Sequence, residues 1–189
     1  MDRFQVVDRS TLYDAGGIGR VNPVPLRAGP LEMEFEPETG FLRYVRFGDE
    51  EVVRAVYAAV RDHEWTTIRP EISGLEWSRT PDSFEVSFDV RAAEEPVDFR
   101  WSSRIVGSED GTVRLQMEGE AKTAFRRNRI GFCVLHPPHL AGAACRELHP
   151  EGEESTARFP ERVRPEPIFR DLAGLRHAIG PEGEVESEV

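Results

Sequence analysis

The sequence predicts an all-β protein: an antiparallel β-sandwich with little helix, for which a supersandwich-like arrangement is one variant. Two observations predict this fold. Apolar and polar residues alternate with a period of two along several segments, and turn-forming residues separate those segments. Side chains on a helix repeat about every 3.6 residues and cannot maintain such an alternation. Because each sheet must bury its apolar face against another layer, we expect two packed sheets.

The first predicted hairpin begins at Leu31. Leu31, Met33 and Phe35 alternate with three glutamates, which predicts a strand with one buried face and one solvated face. Residues 37–40 begin with Pro and end with Gly, a pattern typical of a turn. Phe41–Phe47 then follows as the returning strand.

Three later segments alternate in the same way, at residues 84–91, 97–105 and 113–118. A short polar loop at residues 107–111 joins the last two. The middle of the chain is therefore predicted to be an antiparallel meander that has one buried and one solvated face.

Other segments are less regular. Residues 52–60 fit a helical stripe, but their valine-rich composition favours a strand, as do the neighbouring strands. Residues 130–135 form a short apolar run that ends before two prolines, which predicts a buried strand. Residues 172–178 are the one segment for which a short helix is predicted.

The positions of Gly and Pro, together with the alternating segments, predict three regions. Residues 1–29 contain Gly or Pro at short intervals and are expected to form an extended arm. Residues 30–170 are the predicted β-sandwich domain. Residues 171–189 are expected to hold the short helix or linker and the start of a further segment. Their alternating glutamates fit either a solvated acidic tail or a strand of a longer protein that was cut there.

Composition excludes several classes of function. Lys and Arg number 24 against 35 Asp and Glu, a net charge of −11, which disfavours nucleic-acid binding. No apolar run approaches the roughly 18 residues of a membrane span, and the first twenty residues lack the apolar core of a secretory signal. Two cysteines do not make a disulfide framework, so a reduced, cytoplasmic compartment is predicted.

The sequence lacks motifs typical of a reactive cysteine, a metal site or a phosphate-binding loop. Cys133 lies in an apolar run and is expected to be a small core residue. His136 and His139 flank two prolines, which prevent the helix that would aim both imidazoles at one ion, so no metal site is predicted. Residues 16–20 are rich in glycine but lack the flanking strand and helix of a phosphate-binding loop, and no cofactor is predicted.

Two polar clusters remain, at residues 61–67 and 126–129. Each combines groups that recognise hydroxyls or a carboxylate, including an indole, an amide and forked guanidiniums. The alternative is a salt-bridged strand end. Catalytic residues stay unassigned, because 35 acidic residues allow too many pairs. The predicted substrate-binding residues are Arg61, Asp62, His63, Trp65, Asn128 and Arg129.

The second cluster opens a longer stretch, RRNRIGFCVLHP at residues 126–137, which closely resembles a segment of D-apionate lactonases. The resemblance covers roughly residues 25–178, most of the chain. Further similar positions are residues 46–48, 60–62, 98–101 and 158–160, with Trp65, Thr67, Pro165 and Phe169.

The resemblance implies a role in bacterial apiose catabolism, in which the lactone of apionic acid is opened by hydrolysis. Members of this family are longer, multidomain chains, and this chain resembles only their N-terminal β-rich domain. The implied partners are therefore the missing central and C-terminal domains and a sugar acid or sugar lactone, with neither nucleic acid nor membrane. No catalytic residue is transferred to this chain from the resemblance.

Three hypotheses of function follow. The first is the N-terminal sandwich of a sugar-lactone hydrolase, which supports a catalytic domain absent from this chain and forms one wall of the active site. The second is a stand-alone carbohydrate-binding module without catalysis. The third is a self-sufficient hydrolase or epimerase that uses His63, His136 or His139 as acid and base groups.

Overall fold

The computed structural model describes residues 5–6, 22–162, 169–179 and 185–188. These residues form antiparallel strands joined by turns and one short 3-10 helix at Pro138–Leu140. The strands are β1 (Gln5–Val6), β2 (Val24–Ala28), β3 (Leu31–Glu36), β4 (Phe41–Phe47), β5 (Glu50–Asp62), β6 (Pro70–Arg79), β7 (Phe84–Glu94), β8 (Val97–Gly107), β9 (Val113–Ala121), β10 (Arg127–Leu135), β11 (Ala144–Leu148), β12 (Glu154–Arg158), β13 (Gly174–Ile179) and β14 (Val185–Glu188).

The first sheet has the strand order β1-β6-β7-β8-β9. Strands β7 and β8 pair without interruption from Phe84 opposite Gly107 to Glu94 opposite Val97. Buried residues alternate with more exposed ones along most of both strands. The meander predicted from the period of two is thus confirmed.

The second sheet has the order β10-β5-β4-β3-β2 and contains the predicted hairpin of β3 and β4. The valine-rich segment is part of β5, a strand of 13 residues, and not a helix. Strand β10 pairs with β5 over most of its length, so the predicted strand at residues 130–135 is also confirmed.

The apolar faces of these two sheets pack together into one core, which confirms the predicted sandwich. The rings of Phe35 on β3 and Phe88 on β7 join the two layers, with centroids 5.8 Å apart. Burying a large apolar side chain of this kind stabilises the fold by about 1.5–3 kcal/mol. The buried core residues include Leu26, Met33, Phe35, Leu42, Val45, Val53, Val56, Val60, Phe84, Val86, Phe88, Val90, Phe99, Trp101 and Ile105.

The chain divides into two compact units: residues 1–49 with 53–135, and residues 50–52 with 136–189. The second unit contains a four-stranded antiparallel sheet of order β12-β11-β13-β14. It has a small apolar cluster of its own, whose buried members are Leu140, Cys145, Phe159 and Leu175.

Within the second unit, the helix predicted at residues 172–178 is wrong, because Gly174–Ile179 forms β13 and pairs with β11 and β14. Leu175, His177 and Ile179 are buried, whereas the residues between them are more exposed, which is the period of a strand. Strand β14 occupies the glutamate-rich end of the chain. Of the predicted arm, residues 24–28 form β2, and most of the rest lies outside the described residues.

Candidate functional site

The predicted substrate-binding residues lie at one end of the second sheet, where β5 ends and β10 begins. Arg61 is opposite Arg129, and Asp62 is opposite Arg127. The register shifts between Arg127 and Arg129, so Asn128 is the extra residue of a β-bulge. Two clusters that are about sixty residues apart in sequence are therefore neighbours in space.

Asp62 stabilises the turn that follows β5. Its Oδ1 accepts hydrogen bonds from the backbone N–H groups of Glu64 at 2.8 Å and Thr66 at 2.9 Å. Its own backbone N–H donates to the Thr66 carbonyl at 3.0 Å. An aspartate that caps a turn in this way holds the loop in one conformation. The Asp62 carboxylate thus has a positioning role, and it fixes the residues of the turn, including Trp65.

Trp65 and Arg129 form the one direct contact between the two clusters that involves an aromatic ring. The Arg129 guanidinium carbon lies 5.3 Å from the centroid of the Trp65 ring, which is a cation–π geometry. Trp65 has a left-handed backbone with φ 71° and is 50% exposed. A left-handed conformation costs a residue with a side chain about 1–2 kcal/mol. The turn therefore presents a large aromatic face to solvent at an energetic cost.

His63 and Asn128 lie beside this pair. The His63 Nε2 is 3.9 Å from the Glu64 Oε1, and both side chains are largely exposed. Asn128 is half-buried at the bulge, and its backbone carbonyl accepts a hydrogen bond from Arg127 Nη1 at 3.5 Å. The structure thus places all six predicted residues at one sheet end, with Trp65 and Arg129 in contact.

Two side chains beside Arg61, those of Tyr57 and Cys133, were not predicted as part of the site. Arg61 Nη2 lies 3.9 Å from Cys133 Sγ, and Tyr57 is the residue opposite Cys133 on β5. The Tyr57 ring stacks on Phe41 with centroids 4.2 Å apart. Partial burial, and then the neighbouring Cys133, raises the pKa of Tyr57 above its ordinary value. Alternate residues of β5 share a face, so positions 57 and 61 could have been grouped from the strand assignment alone.

Cys133 is half-buried and contacts Arg61, so its prediction as a core residue is wrong. The apolar run that contains it belongs to an edge strand, and only alternate residues of that strand, Ile130 and Val134, pack against the core. Cys133 lies on the other face.

At this end of the sheet Trp65 and Arg129 are both exposed. Two shallow cavities lie elsewhere in the first unit. One, of about 470 Å³, is lined by residues that include Tyr44 and Arg79, and the other, of about 610 Å³, by residues that include Asp89 and Arg91. Neither is lined by a predicted substrate-binding residue.

The remaining histidine candidates, His136 and His139, belong to the second unit. His136 is packed on Phe159, with ring centroids 4.8 Å apart. Burial, and then the neighbouring His177, lowers the pKa of His136 from 6.5 to about 4. His139 Nε2 lies 3.6 Å from Glu50 Oε1. Across the part of the chain that the structure describes, no group of three His, Cys, Asp or Glu side chains is arranged to bind a metal ion.

Comparison with known proteins identifies the family. The sequence profile described as "D-apionate lactonase, N-terminal domain" matches residues 19–189. This chain belongs to the D-apionate lactonase N-terminal domain family. A protein of Brucella anthropi named D-apionate lactonase is 30% identical over 161 residues, which are 84% of this chain and 26% of the relative. The chain thus spans about a quarter of that relative's length.

The family assignment confirms the resemblance seen in the sequence around Asn128. No solved structure matches this member of the family. In the ranges that the structure describes, none of its helices has the length and hydrophobicity of a membrane span.

Proposed function

We propose that this chain is the supporting domain of an enzyme that opens a sugar lactone by hydrolysis, as the name of its Brucella relative indicates for that protein. In this proposal the catalytic groups belong to parts of the enzyme outside this chain, and the end of β5 and β10 forms one wall of the lactone site. The observation that supports it best is the open surface at Trp65 and Arg129, within a chain that covers only 26% of the relative.

The chemistry of the wall suits a polyol. An indole face packs against the C–H groups of a sugar ring, while guanidinium and amide groups donate hydrogen bonds to its hydroxyl and carbonyl oxygens. Small-ligand sites enclose most of their ligand, so a surface as open as this one needs a second wall. Another domain of the same enzyme would supply that wall.

The environment of the acidic and basic groups favours catalysis elsewhere. Asp62 Oδ1 accepts two backbone hydrogen bonds, so this carboxylate is already engaged in the turn. The 3.9 Å between His63 and Glu64 exceeds a hydrogen-bond length, so that carboxylate does not orient the imidazole as a catalytic dyad would. We also propose a cytoplasmic location, because Cys133 and Cys145 are both free thiols.

The test compares lactone hydrolysis by the full-length enzyme with that by the 189-residue chain. We expect turnover from the former and none from the latter. In the full-length enzyme, Asn128→Ala should reduce turnover and leave the melting temperature nearly unchanged. Normal turnover accompanied by a large loss of stability would instead assign Asn128 to the scaffold and contradict the proposed wall.

A second candidate function, a carbohydrate-binding module without catalysis, is favoured by the half-exposed ring of Trp65. It predicts that the 189-residue chain binds apionate or its lactone in calorimetry. It also predicts that Trp65→Ala abolishes this binding but does not change the turnover of the full-length enzyme. Loss of turnover in that variant would favour the wall.

A further inference from the structure

One face of β5 and β10 gathers hydrogen-bond donors. Arg61 is opposite Arg129, Ala59 is opposite Gly131, and Tyr57 is opposite Cys133. These positions alternate with the residues that pack into the sandwich core, so they share the outer face of the sheet. The face thus carries two guanidiniums, a phenol and a thiol.

The donors are close to one another. Arg61 Nη2 reaches to 3.9 Å from Cys133 Sγ. Ala59 and Gly131, the smallest pair in the register, lie between the arginine pair and the Tyr57–Cys133 pair. A Cβ atom added at Gly131 would meet no other heavy atom within 4 Å, so there is open space above this position. Because the Arg61 side chain extends along this face to Cys133 and Ala59 is buried, a small ligand has room over Gly131 and not in a gap between the two rows.

Like Arg114 on β9, and unlike five arginines elsewhere in the chain, Arg61 and Arg129 have no carboxylate partner among the described residues. Arg27, Arg43, Arg91, Arg100 and Arg104 each form an ion pair with a carboxylate. Among the described residues, no carboxylate lies within ion-pair distance of Arg61 or Arg129, although the chain has a net charge of −11. Of the acidic residues at this strand end, Asp62 is engaged by the backbone of its turn, and Glu64 lies beside His63.

Two arginines directly opposite one another on a sheet repel, and a bound anion relieves that repulsion. A carboxylate fits best, because a guanidinium fork donates two parallel hydrogen bonds to it and such charge-assisted bonds are about twice as strong as neutral ones. A lactone carries no charge and cannot make these bonds. The hydroxy acid formed when the ring opens does carry one.

We propose that Arg61 and Arg129 bind the carboxylate of an open-chain sugar acid, the hydrolysis product, with Tyr57 and Cys133 as additional donors. This inference rests on the proposed function for the identity of the ligand. It assigns the surface to the charged product and not to the neutral lactone.

Calorimetry on the 189-residue chain tests the inference with two probes, sodium D-apionate and the amide of D-apionate. The amide keeps every hydroxyl, lacks the charge and does not hydrolyse during the titration. We expect the carboxylate to bind about tenfold or more tightly than the amide, and its binding to weaken as salt is raised. Equal binding of the two probes, or no binding of the carboxylate, would overturn the inference.

Variants locate the site. Arg61→Gln and Arg129→Gln should each weaken apionate binding about tenfold, and Arg61→Lys should weaken it less, because it keeps the charge but loses the fork. Arg114→Gln is the matched control, since it removes the same charge from the exposed face of β9 in the other sheet, and it should bind like the parent chain. Equal losses in Arg114→Gln would show a general charge effect and contradict the site.

The readouts separate this inference from the proposed function. Turnover of the lactone is measured on the full-length enzyme, whereas anion binding needs only this chain. Normal turnover in the Asn128→Ala variant alongside apionate binding by the parent chain would reject the wall and retain the anion site. Loss of turnover in that variant without apionate binding would retain the wall and reject the anion site.

Discussion

The Arg129 guanidinium lies over the Trp65 ring, with its carbon 5.3 Å from the ring centroid. This contact joins the turn after β5 to the start of β10. Because Trp65 is held in a left-handed conformation, the position of the ring depends on the turn as well as on the contact. Backbone strain and side-chain attraction therefore act on the same residue, and they can be measured separately.

Two substitutions of Trp65 separate these effects. Trp65→Ala and Trp65→Gly both remove the ring, but only glycine adopts φ 71° without steric cost. We expect the glycine variant to be about 1 kcal/mol more stable than the alanine variant in urea denaturation. An alanine variant at least as stable as the glycine variant would contradict the strain assigned to this turn.

Asp62→Ala should destabilise the first unit by about 1–2 kcal/mol, because two backbone N–H groups lose their acceptor. Asp62→Asn keeps one side-chain oxygen and should cost less. Glu64→Ala is the control, since it removes an exposed side chain and keeps the backbone N–H that donates to Asp62. Chemical denaturation measures all three variants, and an equal loss in Glu64→Ala would show that the turn is not held by Asp62.

Phe35→Ala should cost about 3–5 kcal/mol, because the ring is fully buried against Phe88 and its removal leaves a cavity between the sheets. Phe132→Ala on the edge strand β10 is the matched control, with a ring that is 44% exposed and an expected loss of less than about 1 kcal/mol. Similar losses in the two variants would contradict the assignment of Phe35 to the shared core.

The second unit should lose stability in acid through His136. Its pKa is about 4 in the folded chain against 6.5 for an ordinary histidine, so the unfolded state binds the proton more readily. The contribution of neutral His136 to the stability of the second unit is fully present above about pH 6.5, and it is lost as the pH falls toward 4. Burial also lowers the pKa of His177, which adds to the trend.

Amide-proton protection in β13, followed from pH 7.5 to about 4.5, measures this effect. His136→Leu removes the titrating ring from its place beside Phe159 and should flatten the pH dependence. His149→Gln changes a partly exposed histidine of the same unit and should leave the pH dependence of protection unchanged. A parent chain whose protection stays constant over this range would contradict the prediction.

Local patterns predicted the strands whose two faces differ in burial, such as β3 and β7, because there the period of two is strong. Strand β6 was missed, since its register shifts between Ser73 and Glu76 and none of its residues is fully buried. The helix predicted at 172–178 failed for a related reason: six residues are too few to distinguish a buried strand from a short helix.

The site was predictable in its residues but not in its arrangement. Both polar clusters were recognised from their side-chain types. The two clusters meet because β10 pairs with β5, although strands β6 to β9 lie between them in the sequence. No local sequence pattern indicates that pairing. Tyr57 and Cys133 were missed beside Arg61 because Tyr57 was considered only as part of an apolar stripe and Cys133 only as part of an apolar run.

The bulge at Asn128 makes one position of this strand tolerant of a change in chain length. Removing Asn128 would restore a regular ladder and leave every residue from Ile130 to Leu135 on its present face. Removing a residue within 130–135 would instead send the rest of the strand to the opposite face. When relatives of this domain are aligned, gaps in this segment should therefore be placed at position 128.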